Sequence, residues 1–182
     1  RGLRLQLRAD SLLDLADSVE IAGAWSRSPE RRAAFARAYP TIPVTDDLDG
    51  LIADPTIDYA VLLTTPDARA DLLGRLVDAG KHMLMEKPLE RTTKAAEALV
   101  ARAEAAGRKL GIVFQQRFRP ASEELKKLLD EDALGRIAAF EIAAPWWRPQ
   151  SYYDQPGRGT IARDGGGVLL TQAIHTLDFA LS

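Results

Sequence analysis

The chain has 182 residues, of which 46% are hydrophobic and 27% charged, and it carries a net charge of −2 with no cysteine. This is the balance of an ordinary globular protein; it offers no electrostatic attraction to nucleic acid or an anionic membrane, and it excludes disulfide and thiolate chemistry. No apolar run reaches the roughly 20 residues of a membrane span, and residues 1–10 lack the apolar centre of a signal peptide, so the expectation is a soluble, cytoplasmic protein.

Residues 1–17 read two ways. Leu3, Leu5 and Leu7 alternate with Arg4, Gln6 and Arg8 as in a strand, whereas Ser11 to Ala16 fits the end of a helix. Residues 19–25 read as a strand. Ser28 is a good N-cap with Pro29 at the first helical position, so a helix runs from there to about Tyr39, where Pro40 and Pro43 break it. Val44 marks a short strand. Asp46 or Asp47 caps a short helix over residues 48–53, stopped by Asp54-Pro55.

Residues 59–63 form a continuous apolar run, the pattern of a strand covered on both faces. Thr64-Thr65-Pro66-Asp67 is the turn after it. A helix follows over residues 67–79, closed by Gly80. Met83-Leu84-Met85 then forms a buried strand that ends in Glu86-Lys87-Pro88. A helix over residues 93–106, ended by Gly107, and a strand over residues 109–114 complete the alternation. Strands alternating with helices over residues 19–114 predict a parallel sheet with helices on both faces. A boundary falls near residues 117–120. Beyond it the pattern predicts a helix over residues 121–130, a long alternating strand over residues 136–147, and a Gly-, Pro- and aromatic-rich loop over residues 149–164. A loop of that length is a candidate functional loop. A glycine-led helix then spans residues 165–182.

Ligands of open parallel sheets collect at the carboxyl ends of the strands, and Glu86-Lys87-Pro88 stands at such an end. An ammonium there can stabilise negative charge developing on a carbonyl or alcohol oxygen, although a loop lysine is more commonly just solvated. Glu86 holds that lysine, contacts a ligand, or forms a minor local ion pair. In the last helix, Leu170, Ile174, Leu177 and Leu181 make a core stripe at helical spacing. Thr171, His175 and Asp178 make a neighbouring one, with a carboxylate one turn from an imidazole that titrates near neutral pH. Catalytic and packing readings of His175 weigh about equally, and His82 reads as structural. Trp146 reads as packing and Trp147 is open between core and ligand wall. Arg148 either meets an anionic group or is exposed. Gly165-Gly166-Gly167 lacks the ending of a phosphate loop and suits close backbone approach or an unusual helix entry. No metal-ligand spacing of the usual kinds is present.

Taken together, Thr65-Pro66-Asp67, Gly80-Lys81-His82, Glu86-Lys87-Pro88, Arg117-Phe118-Arg119-Pro120, Gly135-Arg136-Ile137, and the run from Gly165 through Thr171 and His175 to Asp178 resemble the Gfo/Idh/MocA family of nicotinamide-dependent oxidoreductases. The resemblance implies a Rossmann-like domain over residues 1–118, followed over residues 119–182 by the beginning of an α+β open-sheet domain. It implies hydride transfer between nicotinamide and a sugar-like or inositol-like alcohol or ketone. Lys87 matches the family lysine that polarises the substrate oxygen, and His175 the histidine that exchanges its proton. Thr171 stands where many members carry aspartate; with Arg148 it joins Lys87 and His175 as a substrate-binding residue. Thr65, Pro66, Asp67, Glu86 and Lys87 match cofactor-side positions.

Cofactor choice turns on Ser26 and Arg27 after the second Rossmann strand. A hydroxyl and a guanidinium suit the 2′-phosphate of NADP better than the 2′-hydroxyl of NAD, for which an acid is usual; otherwise Arg27 belongs simply to the first turn of a capped helix. The glycine-rich turn that cradles the pyrophosphate is reduced to Arg1-Gly2. Its absence, and the ending just after the His175 helix, suggest a fragment, a truncated product, or a chain with segments closed up in the numbering. They also support a second reading, a non-catalytic ligand-binding or assembly module. A complete C-terminal sheet would imply a homo-oligomer.

Overall fold

The computed structural model describes residues 2–182, with side chains from Arg8 onward. Helix α1 (Gly2–Leu13) occupies the start of the chain. The alternating leucines therefore do not form a strand. The segment lacks β-branched residues and proline and is rich in Leu, Arg and Gln, all good helix formers, so the longer pattern wins over a five-residue alternation. Strand β1 (Ala24–Trp25) leads to α2 (Pro29–Ala38), where the Ser28 hydroxyl accepts the Arg31 N–H at 3.2 Å. Strand β2 (Val44–Thr45) leads to α3 (Leu48–Ala53), capped by Asp47, whose carboxylate accepts the Gly50 N–H at 2.7 Å.

Strand β3 (Tyr59–Leu62) is followed by a single 3₁₀ turn (Pro66–Ala68) and α4 (Arg69–Asp78). Strand β4 (His82–Glu86), α5 (Thr93–Ala105) and β5 (Leu110–Val113) complete the first region. Gly80 and Gly107 close α4 and α5 with φ of 76° and 65°, conformations that favour glycine.

All strand pairs are parallel. They form a two-stranded sheet, β1-β2, and a three-stranded sheet, β3-β4-β5. Each has its own core. Leu62, Leu73, Leu76, Val77, Met83, Met85 and Leu99 pack between the larger sheet and α4 and α5, whereas Ala9, Phe35 and Ile42 join α1 and α2 to the smaller sheet. In a Rossmann order the first strand lies between the edges of β1 and β3, and those edges are unpaired among the described residues. This explains why the strand expected over residues 19–25 shrinks to two residues. Its ladder has a partner on one side only, and that partner is itself two residues long.

The second region begins with α6 (Pro120–Asp130). Residues 136–147 carry no regular structure, and residues 131–182 contain no strand. The alternating pattern is present, but no neighbouring strand supplies a ladder, and an isolated strand leaves its backbone groups unpaired. The long loop contains two single-turn helices, α7 (Gln150–Tyr153) and α8 (Ile161–Asp164). The last helix opens with a π-helical turn (Leu169–Ala173) and continues as α9 (Ile174–Ala180).

The core beneath the larger sheet sets stability. Leu73→Ala, at a fully enclosed position of α4, is expected to lower the free energy of unfolding by about 2–5 kcal/mol in urea denaturation.

Candidate active site

Strand β4 is the middle strand of its sheet, and its last residue, Glu86, pairs in register with Val113 of β5. The residues that follow, Lys87 and Phe114, therefore leave the sheet side by side at its carboxyl edge. Lys87 is buried at 4% exposure. Burying an ammonium is costly unless acceptors surround it. Here Nζ donates to the main-chain oxygen of Thr171 at 2.7 Å. Thr171 lies within the π turn, where the widened helical ladder departs from the i→i−4 pattern. The threonine side chain turns back along its own helix, Oγ1 donating to Gly167 O at 2.9 Å. Thr171 thus meets Lys87 through its backbone, not through the hydroxyl that stands in place of a carboxylate.

His175 is one helical turn beyond Thr171 and is also buried. Its ring stands edge-on to Phe114, with centroids 6.2 Å apart and an interplanar angle of 83°. Three residues further, both Asp178 oxygens accept from Arg117 Nε and Nη2, each at 2.6 Å. That bidentate bond raises the Arg117 pKa above its already high value. The stripe Thr171, His175 and Asp178 is therefore the face by which the helix docks along the carboxyl edge of β4 and β5.

The expected core stripe is corrected as well. Leu170, Ile174 and Leu177 are half-buried and Leu181 is 82% exposed, whereas Gln172, Ala173 and His175 are buried. That stripe requires a uniform 3.6-residue period, which the helix does not keep. The π turn lengthens one turn and rotates everything after it. Gln172 Oε1 is buried without a hydrogen-bond partner among the described residues.

On the opposite side of the corner, the Glu86 carboxylate accepts from Arg8 Nε of α1 at 2.7 Å, and Arg8 Nη2 donates to Gln115 Oε1 at 2.9 Å. The Lys87-Pro88 peptide is cis. The long loop is pinned to the same corner: Arg91 Nη1 donates to Ala162 O. Gly165, with φ of 82°, comes so near Arg91 that a Cβ there would lie 2.8 Å from the Arg91 Cα. The glycine run thus provides the close approach expected of it. Within the loop, Asp164 accepts the Gly159 N–H at 2.8 Å.

Arg148 lies over the rings of Trp146 and Tyr152, at 5.7 and 5.5 Å, and makes no described contact with Lys87 or His175. Trp146 is exposed rather than packed, and Trp147 is 80% exposed. His82 accepts the Lys109 N–H at Nδ1, 2.9 Å, a structural bond in keeping with its reading.

The cofactor-side residues occupy two strand ends. Thr65, Pro66 and Asp67 form the turn after β3; Pro66 is buried and Asp67 exposed. After β1, a pocket is lined by Ala24, Trp25, Ser26, Arg31, Arg32, Phe35 and Val44. Arg32 Nη1 donates to Ser26 O at 2.6 Å, and Arg27 is exposed beside it. The lining is almost wholly apolar, and Arg31 and Arg32 contribute to it. Arg8 and Phe114 are not among the sequence expectations for the site; each acts through a contact distant in sequence, Arg8 to Glu86 and Gln115 and Phe114 to His175, that no local pattern marks.

Residues 3–114 match the model of an oxidoreductase family with an NAD-binding Rossmann fold, Gfo/Idh/MocA, and residues 122–182 match the Gfo/Idh/MocA C-terminal domain. The chain belongs to the Gfo/Idh/MocA family. Among family members, the 1,5-anhydro-D-fructose reductase of Ensifer adhaerens is 30% identical over 159 residues, 87% of this chain and 47% of that protein. The scyllo-inositol 2-dehydrogenase (NADP(+)) IolW of Bacillus subtilis is 26% identical over 168 residues, 90% of this chain and 46% of that protein. The WlbA dehydrogenase from Chromobacterium violaceum, solved with NADH and UDP-GlcNAcA, superposes with a TM-score of 0.86 at 28% identity, covering 96% of this chain and 50% of that one. The chain spans about half the length of the relatives it matches.

Because Asp178 holds the last helix to Arg117 through a half-exposed pair, Asp178→Asn is expected to cost only about 1–2 kcal/mol of stability, read by thermal denaturation.

Proposed function

We propose that the chain belongs to an NAD(P)-dependent oxidoreductase that moves a hydride between nicotinamide and a sugar-like or inositol-like alcohol or ketone. Residues 1–118 would form the cofactor domain and residues 119–182 part of the substrate domain. The observation that carries the reading is the bond from buried Lys87 to the Thr171 carbonyl, which brings the lysine onto the helix turn that leads to His175. In oxidation, the alcohol carbon would give its hydride to nicotinamide, the chemistry the cofactor supplies. The hydroxyl proton would pass to His175, and Lys87 would stabilise the charge developing on the substrate oxygen. In reduction the same groups serve in reverse.

A sugar-like or inositol-like substrate is the class that the family resemblance implies. The relatives named for 1,5-anhydrofructose and scyllo-inositol are consistent with this class. Ser26, Arg31 and Arg32 of the β1 pocket, with Arg27 next in sequence and exposed, favour NADP over NAD, because guanidinium groups match phosphate geometry. Thr65, Pro66 and Asp67 would line the nicotinamide side, with Glu86 holding the corner through Arg8. Thr171 would act through its carbonyl and Arg148 at the outer wall of the site.

The test is a screen of sugars and inositols with NADP⁺ and full-length protein, following the absorbance of the reduced nicotinamide. Saturable oxidation of at least one polyol is expected, together with saturable quenching or enhancement of NADPH fluorescence on binding. Absence of binding of both NADPH and NADH at millimolar cofactor would overturn the reading in favour of a non-catalytic module, and binding of NADH alone would overturn the NADP preference. Arg27→Ala is expected to weaken NADPH binding about tenfold while changing NADH binding less than about twofold, the loss of one charge-assisted phosphate contact.

A further inference from the structure

Arg69, the first residue of α4, is 1% exposed. A cation in that position is doubly unfavourable. It is removed from water, and it sits at the positive end of a helix dipole. Packing alone would be met by leucine or methionine.

The guanidinium spans two loops. Nε and Nη2 donate to Thr64 O at 3.2 and 2.7 Å, at the end of β3. On its other side Nη1 donates to Pro88 O, and to Leu89 O at 3.4 Å, immediately after Lys87. These acceptors belong to the two turns that leave adjacent parallel strands at the carboxyl edge, Thr64-Thr65-Pro66 and Lys87-Pro88-Leu89. A planar fork with donors on separate edges can hold both turns at once; a lysine ammonium reaches both only by giving up that fixed geometry.

We propose that Arg69 is a positioning residue: its guanidinium fixes the Lys87 turn against the turn after β3 and so determines where the Lys87 ammonium lies. Its part in turnover rests on the reading of Lys87 given above, but its effect on Lys87 does not. Pro88 and Leu89 are one and two residues from Lys87, so a shift of their carbonyls is transmitted directly to its backbone. The Thr171 carbonyl then holds the far end of the side chain. Lys87 is thus located at both ends, by Arg69 through the backbone and by Thr171 at Nζ.

The experiment is competitive labelling of the folded full-length protein with acetic anhydride, with the rate at each lysine read by mass spectrometry. Lys81 is the internal control. It is as buried as Lys87 and donates to the carbonyls of Asp54 and Ile57, but it stands at the opposite end of β4. In Arg69→Met, labelling of Lys87 is expected to rise about tenfold while that of Lys81 changes less than about twofold. Arg69→Lys, which keeps the charge and guards against loss of folding, is expected to give a smaller rise at Lys87 alone. Unchanged Lys87 labelling in both variants, or a parallel rise at Lys81 and Lys87, would overturn the proposal. The labelling does not depend on turnover: if Lys87→Met leaves activity intact, the functional reading fails while the labelling still decides the role of Arg69.

Discussion

The hydrogen bond from Lys87 to the Thr171 carbonyl is the constraint on which the rest of the site depends. A lysine at 4% exposure must find acceptors or lose its charge. The acceptor it finds lies 84 residues away in sequence, on a helix outside the first region. The bond therefore does two things at once. It solvates a buried cation, and it joins the carboxyl edge of the β3-β4-β5 sheet to the helix that carries His175. The π turn belongs to the same arrangement. A regular α-helix spends its carbonyls on its own ladder, whereas the widened turn changes that ladder where Lys87 arrives.

Around this bond the docking is distributed over distinct kinds of contact. Phe114 supports the His175 ring edge-on, and the Arg117–Asp178 pair fixes the helix one turn further along. The pair, half-exposed on its arginine side and largely covered at Asp178, adds direction as well as energy, because a bidentate guanidinium–carboxylate bond has a single good geometry. On the other flank, Arg8 and Glu86 tie α1 to the same corner. The corner is therefore approached from three sides, by α1, by the last helix, and by the loop that Gly165 brings against Arg91. An ion pair, a carbonyl bond and a backbone contact each require a specific residue, whereas the apolar cores beneath them tolerate exchange of similar side chains.

Much of the first region was legible because its signals are local. Ser28 and Asp47 cap their helices by side-chain bonds to the next turn, Gly80 and Gly107 end theirs with positive φ, and residues 59–63 and 83–85 read as strands, although Tyr59 and Leu84 are exposed and the cover expected on both faces is incomplete. The corner at Lys87 and the helix at His175 were legible as motifs. What failed depended on partners or on register. Residues 136–147 alternate like a strand yet have no strand beside them, and β1 is cut to the length of β2. The leucine stripe of the last helix was placed with a uniform period that the π turn interrupts. At Thr171 the sequence displays a hydroxyl, whereas the contact with Lys87 is made by the carbonyl, which every residue possesses and no side-chain pattern reveals. Arg69 and Arg8 acquire meaning only when distant turns come together.

The central claim is that Lys87 and His175 act on one substrate as a unit. A double-mutant cycle in the full-length protein tests it most directly, using the polyol found by screening and comparing kcat/KM for Lys87→Met, His175→Asn and the pair. Groups that serve one transition state lose far less in combination than the product of their separate losses. Each single variant is predicted to fall by about 10²–10⁴-fold, with the double variant close to the worse single. Wild-type turnover in either single variant, or losses that multiply, would contradict it.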